Sequence, residues 1–392
     1  MTTATHHLIY LANLRLPAER ANALQTAHMA AAFAEVCASV TLFYPNRRLD
    51  APHTAADLWT FYDLPRTFTA IALPCLDTFP IFQRLPFRKL GEFIAFWLVN
   101  LSFDFSVYRT LRRQPADAVI YSRDLYTLAA ARLTHRPYIF EAHQFPNSRA
   151  GQALAHWILA RAQGIVTLTH AAKAAWATLG FDPDRILVAA DGARLDRFNT
   201  ETQAQARAAL NIPAETRIAL YSGSLFAWKG IATLLAAAET LTAAEIWILG
   251  GTPAQIAEWQ PTPGADRVRW LGQVPPTAVP RYLAAADLLL LPNSAKAAIS
   301  VRDTSPLKLF EYMAAHRPII ASDLPSLRDV LTDDNARLIP PDDPAALAAA
   351  ITHLLSDPAH AQSLARQATA DVQSYSWSAR AAKIQTFITT LH

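Results

Sequence analysis

Only two cysteines, Cys37 and Cys75, occur in 392 residues. No disulfide framework can be built from them, so a reducing compartment is expected. Charge is also scarce: 17% of residues are charged against 52% hydrophobic, a balance that supports packed cores and excludes long disorder. No uninterrupted apolar run reaches the roughly 18 residues that a spanning helix needs. The first seven residues lack a basic start, and Leu8-Ile9-Tyr10-Leu11-Ala12 is too short for a signal core and reads as a strand. The chain is therefore expected to be cytoplasmic and soluble, or at most peripheral on the inner face of the membrane. It has no short repeat and no low-complexity tract, and no His/Asp spacing that would hold a metal. No metal or other cofactor is expected.

What is present begins with size. A chain of 392 residues exceeds one ordinary core, so two domains are the prior. Residues 1–200 carry 20 Lys and Arg against 15 Asp and Glu, and the remainder 15 against 17. A mildly basic first half suits an anionic surface or acceptor; no nucleic-acid partner is expected.

Apolar β-branched runs alternate with Ala/Leu-rich stretches of helical period along the chain, the pattern of parallel sheets with crossover helices. Strands are expected at 7–12, 40–44, 118–122, 138–142, 164–168 and 186–189. A second series follows at 218–222, 245–249, 267–271, 288–291 and 318–321. Helices are expected at 22–36, 126–133, 150–163 and 171–179, then at 229–241, 279–285, 306–315, 344–355 and 377–391. The fold class is α/β, with two Rossmann-like doubly wound domains at 1–197 and 198–374 and a closing helix at 375–392 returning to the first. The Ala/Gln/Arg-rich stretch 198–213 reads as the neighbourhood of the boundary. Such halves place ligands at the carboxyl ends of their strands.

The most informative stretch is Ser300-Val-Arg-Asp-Thr-Ser-Pro-Leu-Lys-Leu-Phe-Glu311. Ser305 is an N-cap candidate, and Pro306 suits the first helical position, where its missing N–H costs nothing. First-turn amides and the helix dipole favour an anion there, and Lys308 adds a charge on the same turn. Glu311 lies further in, but its side chain leans toward the N-terminus. A carboxylate beside an anion site suits the two hydroxyls of a ribose. The structural alternative is a capped helix with a solvated loop carboxylate and one buried glutamate.

Asp303 and Glu311, seven residues apart and followed by Tyr-Met-Ala-Ala-His-Arg-Pro-Ile-Ile-Ala-Ser, resemble the acidic-x7-Glu motif of retaining GT-B glycosyltransferases of family 4. The resemblance covers most of the chain, most strongly residues 220–331, and it implies a GT-B fold. It implies that Glu311 takes a nucleotide ribose, Asp303 the sugar, and Thr304, Ser305, Pro306 and Leu307 the diphosphate. The family usually has Glu where Asp303 stands, a shorter reach by one methylene. A second matching stretch is Tyr221-Ser-Gly-Ser-Leu-Phe-Ala-Trp-Lys-Gly-Ile231, read as strand, glycine turn and a helix beginning near Lys229. The family's arginine and lysine here clamp the diphosphate: Lys229 matches, Ser224 replaces the arginine, and Gly223 forms the turn. Lys308, or Arg302 as the lesser candidate, is expected to supply the missing charge. Gly250, Gly272 and Val274 lie in turns that the resemblance places around the base.

In the first half, the strand 138–142 delivers His143 at its end, where the resemblance implies contact with the reacting sugar. A strand-end histidine capping a loop is the competing reading. Asp191-Gly192 is similar to the family's turn at the equivalent place, and a plain turn explains it as well. Asn13, Arg15 and Asn22 are candidates for the acceptor side, with Asn22 and Gln25 at capping-box spacing. The apolar segment from Phe87 to Asn100, with Arg88, Lys89 and the later Arg109, Arg112 and Arg113, suits either a buried helix or one lying in a membrane interface.

The expected activity is sugar transfer with retention from a UDP- or GDP-sugar to a glycan, lipid-linked or small-molecule acceptor, in cell-surface polysaccharide or glycoconjugate synthesis. His143, Lys229, Asp303 and Glu311 are the catalytic candidates. A nucleotide-sugar 2-epimerase-like isomerase and a degenerate nucleotide-sugar-binding protein are the alternatives. Release of nucleoside diphosphate separates them.

Overall fold

The computed structural model describes residues 6–18, 20–47, 57–82, 88–198 and 200–391. Two sheets organise them. The first holds β1 (His7–Leu11), β2 (Ser39–Pro45), β3 (Thr69–Leu73), β4 (Val119–Ser122), β5 (Tyr138–Ala142), β6 (Gly164–Thr167) and β7 (Ile186–Val188). Their order is β3-β2-β1-β4-β5-β6-β7, with every pairing parallel. The second holds β8 (Ile218–Ser222), β9 (Glu245–Leu249), β10 (Val268–Gly272), β11 (Leu288–Leu291), β12 (Ile319–Ser322) and β13 (Arg337–Ile339). Its order is β10-β9-β8-β11-β12-β13, again all parallel. Both are doubly wound sheets whose order reverses at the first strand, the point where such folds place ligands. Strands β4, β5, β6, β8, β11 and β12 are buried along their whole length. That is why they read as continuous apolar runs rather than as alternation.

The chain divides into two compact units: Met1–Leu168 with Ala172–Ala189 and Trp377–His392, and Thr169–Ala171 with Ala190–Ser376. The changeover falls at Ala189 and Ala190, whereas composition placed it after residue 197. The closing helix Trp377–Thr390 belongs to the first unit and packs on the helix Ala21–Val36. The Trp377 ring stacks on His28 at 6.0 Å. Gly164 makes room for the same closing helix, since a Cβ there would lie 2.8 Å from Phe387.

Three local readings change. The helix Ala21–Val36 takes Arg20, not Asn22, as its N-cap, with no side-chain cap. Gln25 is therefore no capping-box partner; it is buried and points into the sheet. The stretch 198–213 is not a plain linker. It contains the helix Gln203–Ala209, started by a full capping box of Thr202 and Gln205. Arg207 is buried and donates to Ala285 O at 2.9 Å, Ala214 O at 2.6 Å and Asp287 Oδ2 at 2.8 Å. Asp287 also accepts from the Ile218 amide at the start of β8, at 2.7 Å.

The third change concerns the helix Arg88–Leu111; Phe87, read as the start of this segment, lies outside the described residues. The part Lys89–Leu111 is long and apolar enough, by length and composition alone, to cross a membrane, although Glu92, Asn100 and Asp104 interrupt its apolar run. One stripe, Ala95, Val99, Phe103, Val107 and Leu111, is buried at four-residue spacing, and the helix packs beside β3 and the helix Leu128–Leu133. The opposite stripe is also apolar, and it is exposed: Leu90, Phe93, Leu101 and Phe105 are each 60–61% accessible. A water-facing stripe would normally be polar.

Removing one partner of a buried ion pair leaves the other charge uncompensated. Arg207→Ala is expected to lower the unfolding free energy of the second unit by about 3 kcal/mol, as a drop in urea midpoint with unchanged slope.

Candidate functional site

In the second unit the loops after β8, β9 and β10 interlock through glycines. The Gly223 amide donates to Leu249 O at 2.8 Å, and the Gly250 amide to Gly272 O at 2.7 Å. All three glycines have positive φ, at 139°, 114° and 68°. A Cβ on Gly250 would lie 2.3 Å from Gly223 O, so the backbones approach as only glycine permits. Tyr221 Oη donates to Ser224 O at 2.7 Å, which fixes the turn after β8. Val274 lies just beyond Gly272, partly buried against the unit's core.

Lys229 is not at a helix start. It closes a 3-10 turn over Ala227–Lys229; Gly230 follows with φ 80°, and the helix begins at Ile231. A Cβ on Gly230 would lie 1.7 Å from Pro292 O. This close approach of the loops after β8 and β11 seats Lys229 in the interior, where it is 9% accessible.

The helix carrying Lys308 and Glu311 spans Leu307–Ala314. Pro306 is its N-cap, with ψ 128° and no side-chain cap, so the start lies one residue later than read. Ser305 does not cap it; its hydroxyl accepts from the Asp191 amide at 3.1 Å. Asp191 is buried, and its neighbour Gly192 sits where a Cβ would meet Tyr375 O at 2.5 Å. Tyr312 Oη accepts from the Ser222 amide at 2.7 Å, joining this helix to the end of β8. The two stretches singled out in the sequence are thus physically connected.

Their union places two ammonium groups in the interior. Lys308 Nζ lies 3.7 Å from the Tyr221 ring centroid and 3.2 Å from where a Gly223 Cβ would stand. Lys229 Nζ lies 3.8 Å from the Trp228 centroid. Lys308 Nζ is wholly buried and has no hydrogen-bond partner among the described residues. Burial pushes Lys229 down to about 7. Burial and the repulsion of Lys229 drive Lys308 well below its ordinary value, against the pull of Glu311. Aromatic faces offset part of the cost of such cations, but the arrangement favours an incoming anion.

Glu311 lies beside Lys308. Burial raises its carboxyl above the ordinary value, against the attraction of Lys308 and Arg197. Asp303 ends a π-helical turn, Ile299–Asp303, and is buried. Both its oxygens accept from the adjacent Arg302, at 2.7 and 2.8 Å. Arg302 is thereby engaged with Asp303, so of the two cations expected to replace the arginine missing at Ser224, Lys308 is the one lodged beside Gly223. Thr304 carries the chain in extended form from that turn toward the helix.

The first unit holds the remaining candidates. His143 follows β5, and its Nε2 lies 2.7 Å from Glu141 Oε1. Asn13 Nδ2 donates to Asn100 Oδ1 at 2.6 Å, and the Asn22 carbonyl accepts from Arg123. Arg15 lies in the segment between β1 and the first helix. Gln25, Arg123, Glu141 and Arg380 were missed by sequence reasoning. The available signal was a carboxylate inside the apolar run Tyr138-Ile-Phe-Glu-Ala142.

Two family models match this chain: Glycosyltransferase Family 4 over residues 23–197 and Glycosyl transferases group 1 over residues 216–357. The chain belongs to the family 4 glycosyltransferases. Its fold is GT-B. This glycosyltransferase superposes on sucrose-phosphate synthase from Thermosynechococcus elongatus with a TM-score of 0.78 and 21% identity, over 99% of each chain. It superposes on HepE of Anabaena in complex with UDP with a TM-score of 0.75 and 16% identity, over 98% of this chain and 100% of that one. A phosphatidyl-myo-inositol mannosyltransferase of Mycolicibacterium smegmatis is 33% identical over 178 residues, 44% of this chain and 45% of that protein. The glycosyltransferase spans about half the length of the curated relatives it matches.

The lysine pair makes stability depend on pH. Lys229 has a folded value near 7 against an ordinary 10.5. Between those values the unfolded chain binds more protons than the folded one, so unfolding free energy rises with pH. The ligand-free glycosyltransferase is expected to gain stability from pH 7 toward 10, with a slope of up to about 1.4 kcal/mol per pH unit from this group. Lys229→Met is expected to raise the melting temperature at pH 7 and to flatten that slope.

Proposed function

We propose that this glycosyltransferase moves a sugar from a UDP- or GDP-sugar to a glycan, lipid-linked or small-molecule acceptor, with retention of configuration and without a metal, in cell-surface polysaccharide or glycoconjugate synthesis. The observation that carries the reading is the pair of buried lysines, Lys229 and Lys308, the latter with its Nζ wholly buried and without a hydrogen-bond partner among the described residues. They stand where the β8 loop meets the helix Leu307–Ala314. A diphosphate supplies the charge they lack, and the backbone amides of Thr304, Ser305 and Leu307 add donors to it. HepE was crystallised with UDP and with UDP-glucose, which makes uridine donors the first to test.

In this reading Glu311 accepts the two ribose hydroxyls. Gly250, Gly272 and Val274 surround the base. Asp303 contacts the sugar once its carboxylate turns from Arg302. His143 is the first unit's candidate for contact with the reacting sugar, as the family resemblance implies. As the glycosidic bond to the donor breaks, charge grows on the leaving diphosphate and an oxocarbenium-like centre forms on the sugar. Lys229 and Lys308 are fixed before that charge develops, so they stabilise it without reorganisation. Glu311→Ala is expected to weaken UDP-sugar binding by 10- to 100-fold, the loss of about 1.5–3 kcal/mol for hydrogen bonds to a charged group. Titration calorimetry reads it, and unchanged affinity would sink the ribose assignment. Incubation with a donor panel is expected to release nucleoside diphosphate. Epimerised donor without release would favour the isomerase.

The exposed stripe Leu90, Phe93, Leu101 and Phe105 favours a second element of the reading: the first unit rests on an anionic membrane surface, on the inner face of the membrane. An apolar stripe suits the acyl boundary, and the basic residues Lys89, Arg109, Arg112 and Arg113 suit anionic headgroups. Co-sedimentation with phosphatidylglycerol vesicles is expected, and little with phosphatidylcholine. The double variant Phe93→Asp, Phe105→Asp is expected to abolish it without lowering the melting temperature, because both side chains are about 61% exposed.

A further inference from the structure

Glu141 is fully buried in the middle of a sheet. A carboxylate there costs several kcal/mol unless donors surround it, and four do. Gln25 Nε2 at 2.7 Å, His143 Nε2 at 2.7 Å and Arg380 Nη2 at 2.9 Å reach Oε1, and Tyr121 Oη donates to Oε2. Burial pushes the Glu141 carboxyl upward, but the charges of Arg380 and His143 beside it hold it well below the ordinary range. These donors come from the first helix, from β4, from the residue after β5 and from the closing helix. Arg123 adds a donor to Gln25 Oε1 at 2.6 Å, and Arg380 also donates to Ala189 O at 3.2 Å.

Every member of this inner set is closed to solvent except one. Gln25, Tyr121 and Arg380 are 0–4% accessible, while the His143 side chain keeps 18%. Of the four donors to Glu141, the His143 imidazole is thus the one that reaches solvent. An ionised carboxylate accepts and cannot donate, so the His143 nitrogen facing Glu141 must carry a hydrogen. That leaves Nδ1 as the acceptor of neutral His143, or as a second donor of its cation. The tautomer of a functional histidine is set in this way by the partner of its other nitrogen.

We propose that Glu141 is a positioning residue for His143: it fixes the ring and its Nε2–H form, and Arg380 of the closing helix holds Glu141 in place. The role in turnover rests on the reading of His143 as a sugar-facing group given above. A merely structural glutamate would impose the same tautomer but would leave kcat for transfer unchanged once its charge is removed with the fold intact, and that difference is measurable.

Long-range proton–nitrogen correlation spectra of the unaltered full chain are expected to show His143 with hydrogen on Nε2, and a neutral Nδ1–H form would overturn the proposal. Glu141→Gln, whose amide can donate as well as accept, is expected to mix the two tautomers. It should lower kcat for transfer by about 10- to 100-fold, as lost partners of functional histidines do, with the donor KM within twofold of wild type. Adding His143→Ala to it is expected to cost little more than either change alone. Impaired transfer in His143→Ala with wild-type kcat in Glu141→Gln would overturn the positioning role alone. Unchanged transfer in His143→Ala would instead overturn the sugar-facing reading beneath it. Should Glu141→Gln fail to fold, Glu141→Asp, which keeps the charge but shortens its reach to the ring, replaces it, and wild-type kcat there would overturn the positioning role.

Discussion

Two buried lysines, one of them with no hydrogen-bond partner among the described residues, set the terms for the second unit. Burying Lys229 and Lys308 near one another works against folding, since each loses water and Lys308 is repelled by Lys229. The rings of Trp228 and Tyr221 soften this, and the surrounding backbone is built to hold it. The Gly223, Gly250 and Gly272 turns pack so closely that a side chain would collide at Gly250. Tyr312 ties the helix that brings Lys308 to the strand that leads to Lys229. A site of this kind spends stability to hold two lysine side chains in place before a ligand arrives, so that the bound diphosphate meets groups already positioned for the charge that develops on it.

The sequence carried the architecture well because parallel sheets are written in continuous apolar runs. Strands 138–142, 218–222, 245–249 and 288–291 read with the bounds they have in the structure. The edges were harder. β3 is only partly buried, and β13 has three residues, so neither stands out from a loop. The helices Pro253–Trp259 and Pro358–Asp371 were missed as well, the latter polar on average along its length.

The site was legible in its residue types and less so in its geometry. The spacing from Asp303 to Glu311 picked out the helix start, but the extended ψ of Pro306 moved that start by one residue and freed Ser305 for Asp191. Nothing in the pattern announced that Asp303 would be gripped by its neighbour Arg302. That pairing depends on a π-helical turn, which has no reliable sequence signature. Gln25 is the instructive case in the first unit. Spacing suggested a local cap, yet the side chain turned inward to a carboxylate more than a hundred positions away in sequence. Local rules fail where a buried charge competes for donors.

Both units therefore centre on an ionic problem inside an apolar sheet, met by satisfied partners around Glu141 and left unmet at the lysine pair. The most direct test of the central claim is the proton balance of UDP binding near pH 8, measured by calorimetry in buffers of different ionisation enthalpy. An incoming diphosphate must restore protons that burial removes from Lys229 and Lys308, so net proton uptake on binding UDP is predicted, with none for uridine. Binding of UDP without proton uptake, or uridine binding as tightly as UDP, would contradict the account.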